Sequence, residues 1–326
     1  MPQDLLLLAE LQKVNESLCP IESLTHPRSP LWKALTSFLA FEEAQTFTFI
    51  LNESRRDGKR LRGFIQVKQP ATRPEMYIHC VAPQLDAAED AHAAWNRLLN
   101  HVVAMAEEKG IHRIFACAAE ASTEREVLVG AGFSVYTRED IFRLAPDAHP
   151  QAVAGNGIRP EQSTDTWEIR RLYRAIAPYL VQRAETFAES KDGEWLSGPV
   201  SWNQGEGFVM EDREGIVGYG HLTPGHTGHW LTILVHPRAY DQVDPLLSYG
   251  LALLNYYPPY PVYCATREYQ GGIRTPLSTR GFTLFSTQCC LVKHTTVCVQ
   301  ENARSLVPAL EKRAKAPTTT ASPSET

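Results

Sequence analysis

One pattern occurs twice along this chain and limits its possible folds more than any other feature. In the first half an apolar, strand-like run, Met76-Tyr77-Ile78-His79-Cys80-Val81-Ala82-Pro83, ends in Val-x-Pro. In the second half Trp230-Leu231-Thr232-Ile233-Leu234-Val235-His236-Pro237 ends the same way. Each run leads into a helical stretch, a short strand, and a second helical stretch that stops at Gly-Phe: Gly132-Phe133 and Gly281-Phe282. Pro83 to Gly132 spans 49 residues and Pro237 to Gly281 spans 44, a loop-sized difference. A repeat this long indicates two related domains rather than a solenoid, whose units are shorter and more numerous.

With 326 residues, each of two domains can bury its own core. The net charge of −5 leaves no broad basic surface for nucleic acid. The seven cysteines include no Cys-x-x-Cys, and Cys80, Cys117 and Cys264 lie in or beside apolar runs. Reduced, buried thiols in a cytoplasmic protein explain them better than a disulfide framework. Leu5 to Leu8 follows Asp4 with no Lys or Arg before it. It is too short to span a bilayer and lacks the charge of a signal peptide, so it reads as an amphipathic helix on the first domain, and no membrane contact is expected.

The pattern predicts a helix over 31–39, strands over 46–51, 61–67 and 76–81, a long helix over 86–109, a strand over 111–117, a helix over 123–129 and a closing strand over 133–144. Residues 145–157, small and rich in Pro and Gly, form a linker between a first domain, 1–144, and a second, 158–300. In the second domain Asp165 is a candidate N-cap with Glu168 as its capping-box partner. A hairpin around Arg213-Glu214-Gly215 follows, then a strand over 230–235, a helix over 243–254, a strand over 262–265 and a short helix over 275–280, with Pro276 suited to its first position. Strand material covers 282–297. Residues 315–326 lack large apolar side chains and are expected to be a disordered tail.

This element order, with Val81-x-Pro83 and Gly132-Phe133 matched by Val235-x-Pro237 and Gly281-Phe282, resembles the GNAT acyltransferase superfamily in tandem. The resemblance implies an α/β (α+β) fold of two GNAT-like domains, each a mixed, twisted β-sheet flanked by helices. It also implies acetyl-CoA as a substrate, bound where the Val-x-Pro strand splays from its neighbour and its backbone pairs with the pantetheine arm. Val81, Val235 and the adjacent Arg238 are the cofactor-binding candidates on these grounds. In the family a glycine-rich segment then brings backbone N–H groups to the pyrophosphate at a helix N-terminus. Here the matching positions hold Asp86, Ala87, Glu89 and Ala91, or Tyr240, Asp241, Val243 and Pro245. The family's acid tyrosine, four residues before the Gly of Gly-Phe, is replaced by Leu128 and Leu277, and an aliphatic side chain is no general acid.

His79 and His236 adjoin the two motifs and are candidate general bases, because imidazole titrates near neutrality; each could equally be an ordinary strand residue. His221, His226 and His229 cluster without an acidic or Cys ligand inside the run, which favours turn histidines over a metal site. Tyr179, Gln182 and Glu185 fall where the family lines its acceptor cleft. Strand alternation puts Cys289 and Cys290 on opposite faces. Two functions fit: a CoA-dependent N-acyltransferase acting on a small-molecule or protein amine, or a non-catalytic GNAT-like binding module.

Overall fold

The computed structural model describes residues 2–36, 44–55, 60–70, 73–146, 157–185 and 205–295. The expected linker is covered only at its ends, and the expected tail lies outside the described residues. The first half runs α1 (Pro2–Leu11), β1 (Glu16–Ser17), α2 (Pro20–Thr25), α3 (Pro30–Thr36), β2 (Ala44–Ser54), β3 (Arg60–Pro70), β4 (Glu75–Ala82), α4 (Ala91–Glu108), β5 (Arg113–Ala119), α5 (Thr123–Gly130) and β6 (Ser134–Leu144). The second runs β7 (Ile158–Pro160), α6 (Thr166–Ile176), α7 (Tyr179–Ala184), β8 (Glu206–Asp212), β9 (Gly215–Thr223), β10 (His229–Val235), α8 (Val243–Leu253), β11 (Val262–Arg267), α9 (Arg274–Thr279) and β12 (Thr283–His294).

The strands form one mixed sheet in the order β2-β3-β4-β5-β12-β6-β11-β10-β9-β8-β7, with β1 attached to β4. The last strand of each half is exchanged: β12 pairs with β5 of the first half, and β6 pairs with β11 of the second. The two exchanged strands also pair with each other, antiparallel, at the seam. Among the described residues only β4–β5 and β10–β11 are parallel. Helices cover both faces. Ile114, Ala116 and Ala118 of β5 and Leu291 of β12 pack with α4 and α5, and Leu231, Ile233 and Val235 of β10 pack with α8 and α9. On the opposite face Leu234 meets α6 and α7, and Phe64 and Cys80 meet α1 and α3.

The repeated Gly-Phe has a backbone cause. Gly132 and Gly281 have φ of 86° and 85°, a left-handed conformation that glycine adopts without a Cβ penalty. Phe133 N donates to Leu128 O (3.0 Å) and Phe282 N to Leu277 O (3.1 Å), closing a Schellman motif after α5 and after α9. Leu128 and Leu277, fully buried, supply the hydrophobic contact that accompanies such a cap. The aliphatic residues at the family's tyrosine positions are therefore core.

Three local expectations are corrected. The long helix begins at Ala91, not residue 86. The Asp165 carboxylate accepts from Gln162 N (2.8 Å) and so caps the 3-10 turn at Ser163–Asp165 rather than α6, while Glu168 Oε2 accepts from Ile216 N (3.0 Å) on β9. Pro276 occupies the third position of α9, not the first.

The N-terminal helices are fastened to the sheet by a charged cluster. His79 is the extra residue of a bulge between β3 and β4, which redirects its side chain. Its Nδ1 lies 3.2 Å from Glu22 Oε2 on α2, and Lys33 Nζ of α3 contacts both Glu22 Oε1 (2.9 Å) and His79 Nε2. Burial alone would raise the Glu22 carboxyl, but the His79 hydrogen bond and the charges of His79, Lys68 and Lys33 outweigh it and hold the group far below the usual carboxylate range. A depressed folded-state carboxyl stabilises above its unfolded pKa, and that contribution is lost as the pH falls. Urea midpoints should therefore fall as the pH drops below about 4.5, and Glu22→Gln should flatten that decline. Leu291→Ala, in the second half's last strand but the first half's core, should cost about 2–5 kcal/mol. It should lower one shared urea transition, followed by both fluorescence and circular dichroism, rather than split it in two.

Candidate active site

In each half two parallel strands part after three paired residues. β4 and β5 pair through Tyr77 and Phe115, and β10 and β11 through Leu231 and Cys264. Parted strands leave backbone N–H and C=O groups that must find partners. In the first half the chain's own N-terminal segment supplies them. Leu18 N donates to His79 O (2.9 Å), and Leu18 O accepts from Cys117 N (2.9 Å), so one residue bridges both strands. Glu16 and Ser17 continue along Val81 and Cys80, and Gln84 N donates to Val14 O (2.7 Å). In the second half one side chain does this work. Gln270 Oε1 accepts from Arg267 N (3.0 Å), and Gln270 Nε2 donates to Ile233 O (3.2 Å). Ile233, like His79, is the second residue beyond the last paired position of its strand.

The surroundings of the two gaps differ in charge. The first is acidic: Glu16 is raised by burial, with Glu124 and Asp86 adding to the effect. Near the start of α4, Asp90 pairs with Arg55 (2.5 Å). In the second, Arg280 pairs with Asp244 in the first turn of α8. Pro245 removes a helix N–H there.

Below both gaps, on the face covered by α2, α6 and α7, lies a cavity of ≈ 130 Å³ at the seam between the halves. Its polar wall converges from distant parts of the chain. Arg267 Nη1 meets Glu185 Oε1 at 2.5 Å, and Arg267 Nε lies 3.7 Å from Glu139 Oε2. Tyr173 OH donates to Glu185 Oε2 (2.6 Å) and Tyr136 OH to Glu185 Oε1 (3.0 Å). Tyr136 is the extra residue of a bulge between β6 and β12, the device that places an additional side chain at the seam. Gln288 Nε2 donates to Glu139 Oε1. Burial pushes the Tyr269 hydroxyl up to about 12, and it raises Tyr136 and Tyr173 further. Burial would lower Arg267, but Glu185, Tyr269, Tyr136 and Glu139 more than offset it and keep the guanidinium charged.

The residues singled out from sequence are scattered. His79 lies in the Glu22–Lys33 cluster. His236 Nδ1 accepts from Arg238 N (3.3 Å) and caps the turn at Pro237–Gln242. Val81 pairs across its backbone with Glu16, and Val235 is fully buried in the second-half core. The Arg238 guanidinium is engaged by Glu214 and by Asp212 Oδ2 (3.1 Å). His229 Nε2 is held by Pro258 O (2.8 Å), His221 Nδ1 meets Thr223 Oγ1 (3.2 Å), and the His226 ring lies edge-on to His26 (5.0 Å). The three histidines thus serve separate contacts. Of the acceptor-cleft candidates, Glu185 is at the cavity, Tyr179 is exposed, and Gln182 binds the carbonyls of Arg174 and Ala177. Glu139, Arg267, Tyr136, Tyr173 and Gln270 belong to no motif of the sequence. For Glu139, Arg267 and Gln270 the available signal is a charged or amide residue inside or soon after an apolar strand; Tyr136 and Tyr173 carry none.

No family model matches this chain, and no curated protein matches its sequence. Among solved structures, a tandem GNAT protein from the clavulanic acid biosynthesis pathway superposes with a TM-score of 0.51 at 13% identity, covering 91% of this chain and 96% of that one. A GCN5-related N-acetyltransferase from Sphaerobacter thermophilus superposes with a TM-score of 0.49 at 12% identity, covering 91% and 96%. The repeated Val-x-Pro strands, the two parted parallel pairs and the superposition agree: this chain has the tandem GNAT fold.

Proposed function

We propose that the protein is a CoA-dependent N-acyltransferase with one usable acyl-CoA slot, in its second half, and an amine acceptor site in the seam cavity. The observation that carries this is the unequal filling of the two gaps. In the first half a pantetheine arm would have to displace the backbone of residues 14–18, Val81's partner included. In the second the bridging group is the Gln270 side chain, whose amide donates to Ile233 O on the strand that ends at Val235. Arg238 is the nearby cation, once it exchanges Asp212 and Glu214 for a phosphate.

Acetyl-CoA would be a substrate here and would supply the thioester. Two carboxylates at the cavity, Glu139 and Glu185, favour a cationic amine, and either can take the proton that the amine must lose before attack. Tyr269, protonated at neutral pH, can donate to the departing thiolate. The acceptor is a small amine or a protein amine small enough at its tip for this cavity. A cytoplasmic location suits both acetyl-CoA supply and the free cysteines; no helix among the described residues is long and apolar enough to cross a membrane.

The second reading, a binding module without acyl chemistry, is favoured by one observation: the chain itself already bridges both gaps. Calorimetric titration with acetyl-CoA separates the two. The acyltransferase reading predicts one acetyl-CoA per chain, binding as tight or tighter in Gln270→Ala, and turnover lowered about 10²-fold or more in Glu185→Gln with acetyl-CoA binding retained. Absence of binding in both wild type and Gln270→Ala would establish the non-catalytic reading.

A further inference from the structure

We propose that Cys117 and Cys290 form an oxidisable pair, which hydrogen peroxide converts to a disulfide joining the first half to the second half's exchanged strand. The two residues are direct partners on antiparallel β5 and β12. Which kind of partner follows from the ladder. Glu120 N donates to Thr287 O (3.4 Å) and Thr295 N to His112 O (3.1 Å), so these two pairs are hydrogen-bonded ones. Bonded and non-bonded pairs alternate along an antiparallel ladder. Cys117–Cys290 lies an odd number of steps from each, and is therefore a non-bonded pair. Such pairs bring Cα atoms to about 4.5 Å, with side chains closest, inside the Cα range of about 4.4–6.8 Å that disulfides span.

The side chains already meet. Both sulfurs and a Glu139 carboxylate oxygen lie within 4.8 Å of one another. The hydrogen bond that the Cys290 thiol donates to Cys117, then burial, pushes that thiol up. Cys117 is the more exposed of the two, and it lines both the seam cavity and a second cleft beside β1 and α2, which gives an oxidant access. Cys289 points to the opposite face, into the core under α4.

The chemistry balances with one peroxide. The Cys117 thiolate attacks one peroxide oxygen; the O–O bond breaks, the departing hydroxide takes a proton and leaves as water, and Cys117 becomes a sulfenic acid. Cys290 gives its proton to the Glu139 carboxylate, and its sulfur attacks the Cys117 sulfur. The S–O bond breaks, the S–S bond forms, and a second water leaves with that proton. Two thiols are oxidised and one peroxide is reduced to two waters. The product fixes β12 against β5 at the seam and changes the wall of the cavity.

The test uses the full-length protein, reduced, treated with one equivalent of hydrogen peroxide and digested without reductant. Mass spectrometry in a Cys289→Ser background keeps the assignment to Cys290 unambiguous. The proposal predicts a cross-link between the peptides carrying Cys117 and Cys290, lost with dithiothreitol, retained in Cys19→Ser, and absent in Cys117→Ser and in Cys290→Ser. The melting temperature of the oxidised protein should rise above that of the reduced one. A cross-link through Cys19 instead, a sulfinic acid at Cys117 without a cross-link, unmodified thiols in the wild-type protein, or a stoichiometric zinc ion held by the two cysteines would each overturn it.

Discussion

β12 inserts between β5 and β6 and joins the two halves into one sheet. A sheet edge left unpaired exposes backbone donors and acceptors that demand partners. Here neither half closes its own sheet beyond its second parallel strand. The first ends at β5, the second at β11, and each accepts the other's last strand. Leu291 and Cys289 consequently belong to the core under α4, more than 150 residues away in sequence from the helices they pack beside. Phe142 and Leu144, in return, sit in the core under α8. The seam is thus made of hydrogen bonds and buried apolar side chains, and the cavity beneath it has walls from both halves.

The parted parallel strands pose a second problem with the same physics. A gap wide enough for a ligand's amide arm leaves strand carbonyls and amides unpaired when the arm is absent. The two halves meet that demand differently. The backbone N–H and C=O of Leu18 fill the first gap, and a side-chain amide, that of Gln270, fills the second. A peptide held by β1, α2 and the Glu22–His79–Lys33 cluster is costly to remove, because its loss would strand several buried polar groups at once. A glutamine side chain has only its own rotamer to change. The first gap is thereby closed by framework, and the second by one side chain.

Much of this was legible in the sequence where the backbone imposes a residue type. Gly132 and Gly281 are needed at positive φ, and Phe133 and Phe282 are buried just beyond them, so the repeat is visible without any structure. The α1 leucines divided as an amphipathic helix should, with Leu7 and Leu8 buried and Leu5 and Leu6 exposed. The strand exchange was not legible, because the apolar run Cys289 to Val292 fits either sheet equally well. Glu16 and Ser17 carry no strand pattern at all; their conformation is dictated by the gap they fill. The cavity cluster escaped for a related reason. Glu139, Glu185 and Arg267 meet only because the exchange brings β6 beside β11, and no local spacing encodes that meeting.

The first gap is closed by the backbone of the N-terminal segment and the second by the Gln270 side chain. Backbone hydrogen exchange of the full-length protein, with and without acetyl-CoA, tests it most directly. The Leu18 and Cys117 amides should be strongly protected and unchanged by acetyl-CoA, with any new protection confined to 232–236 and the start of α8. Rapid exchange at Leu18, or protection there that changes when acetyl-CoA is added, would contradict it.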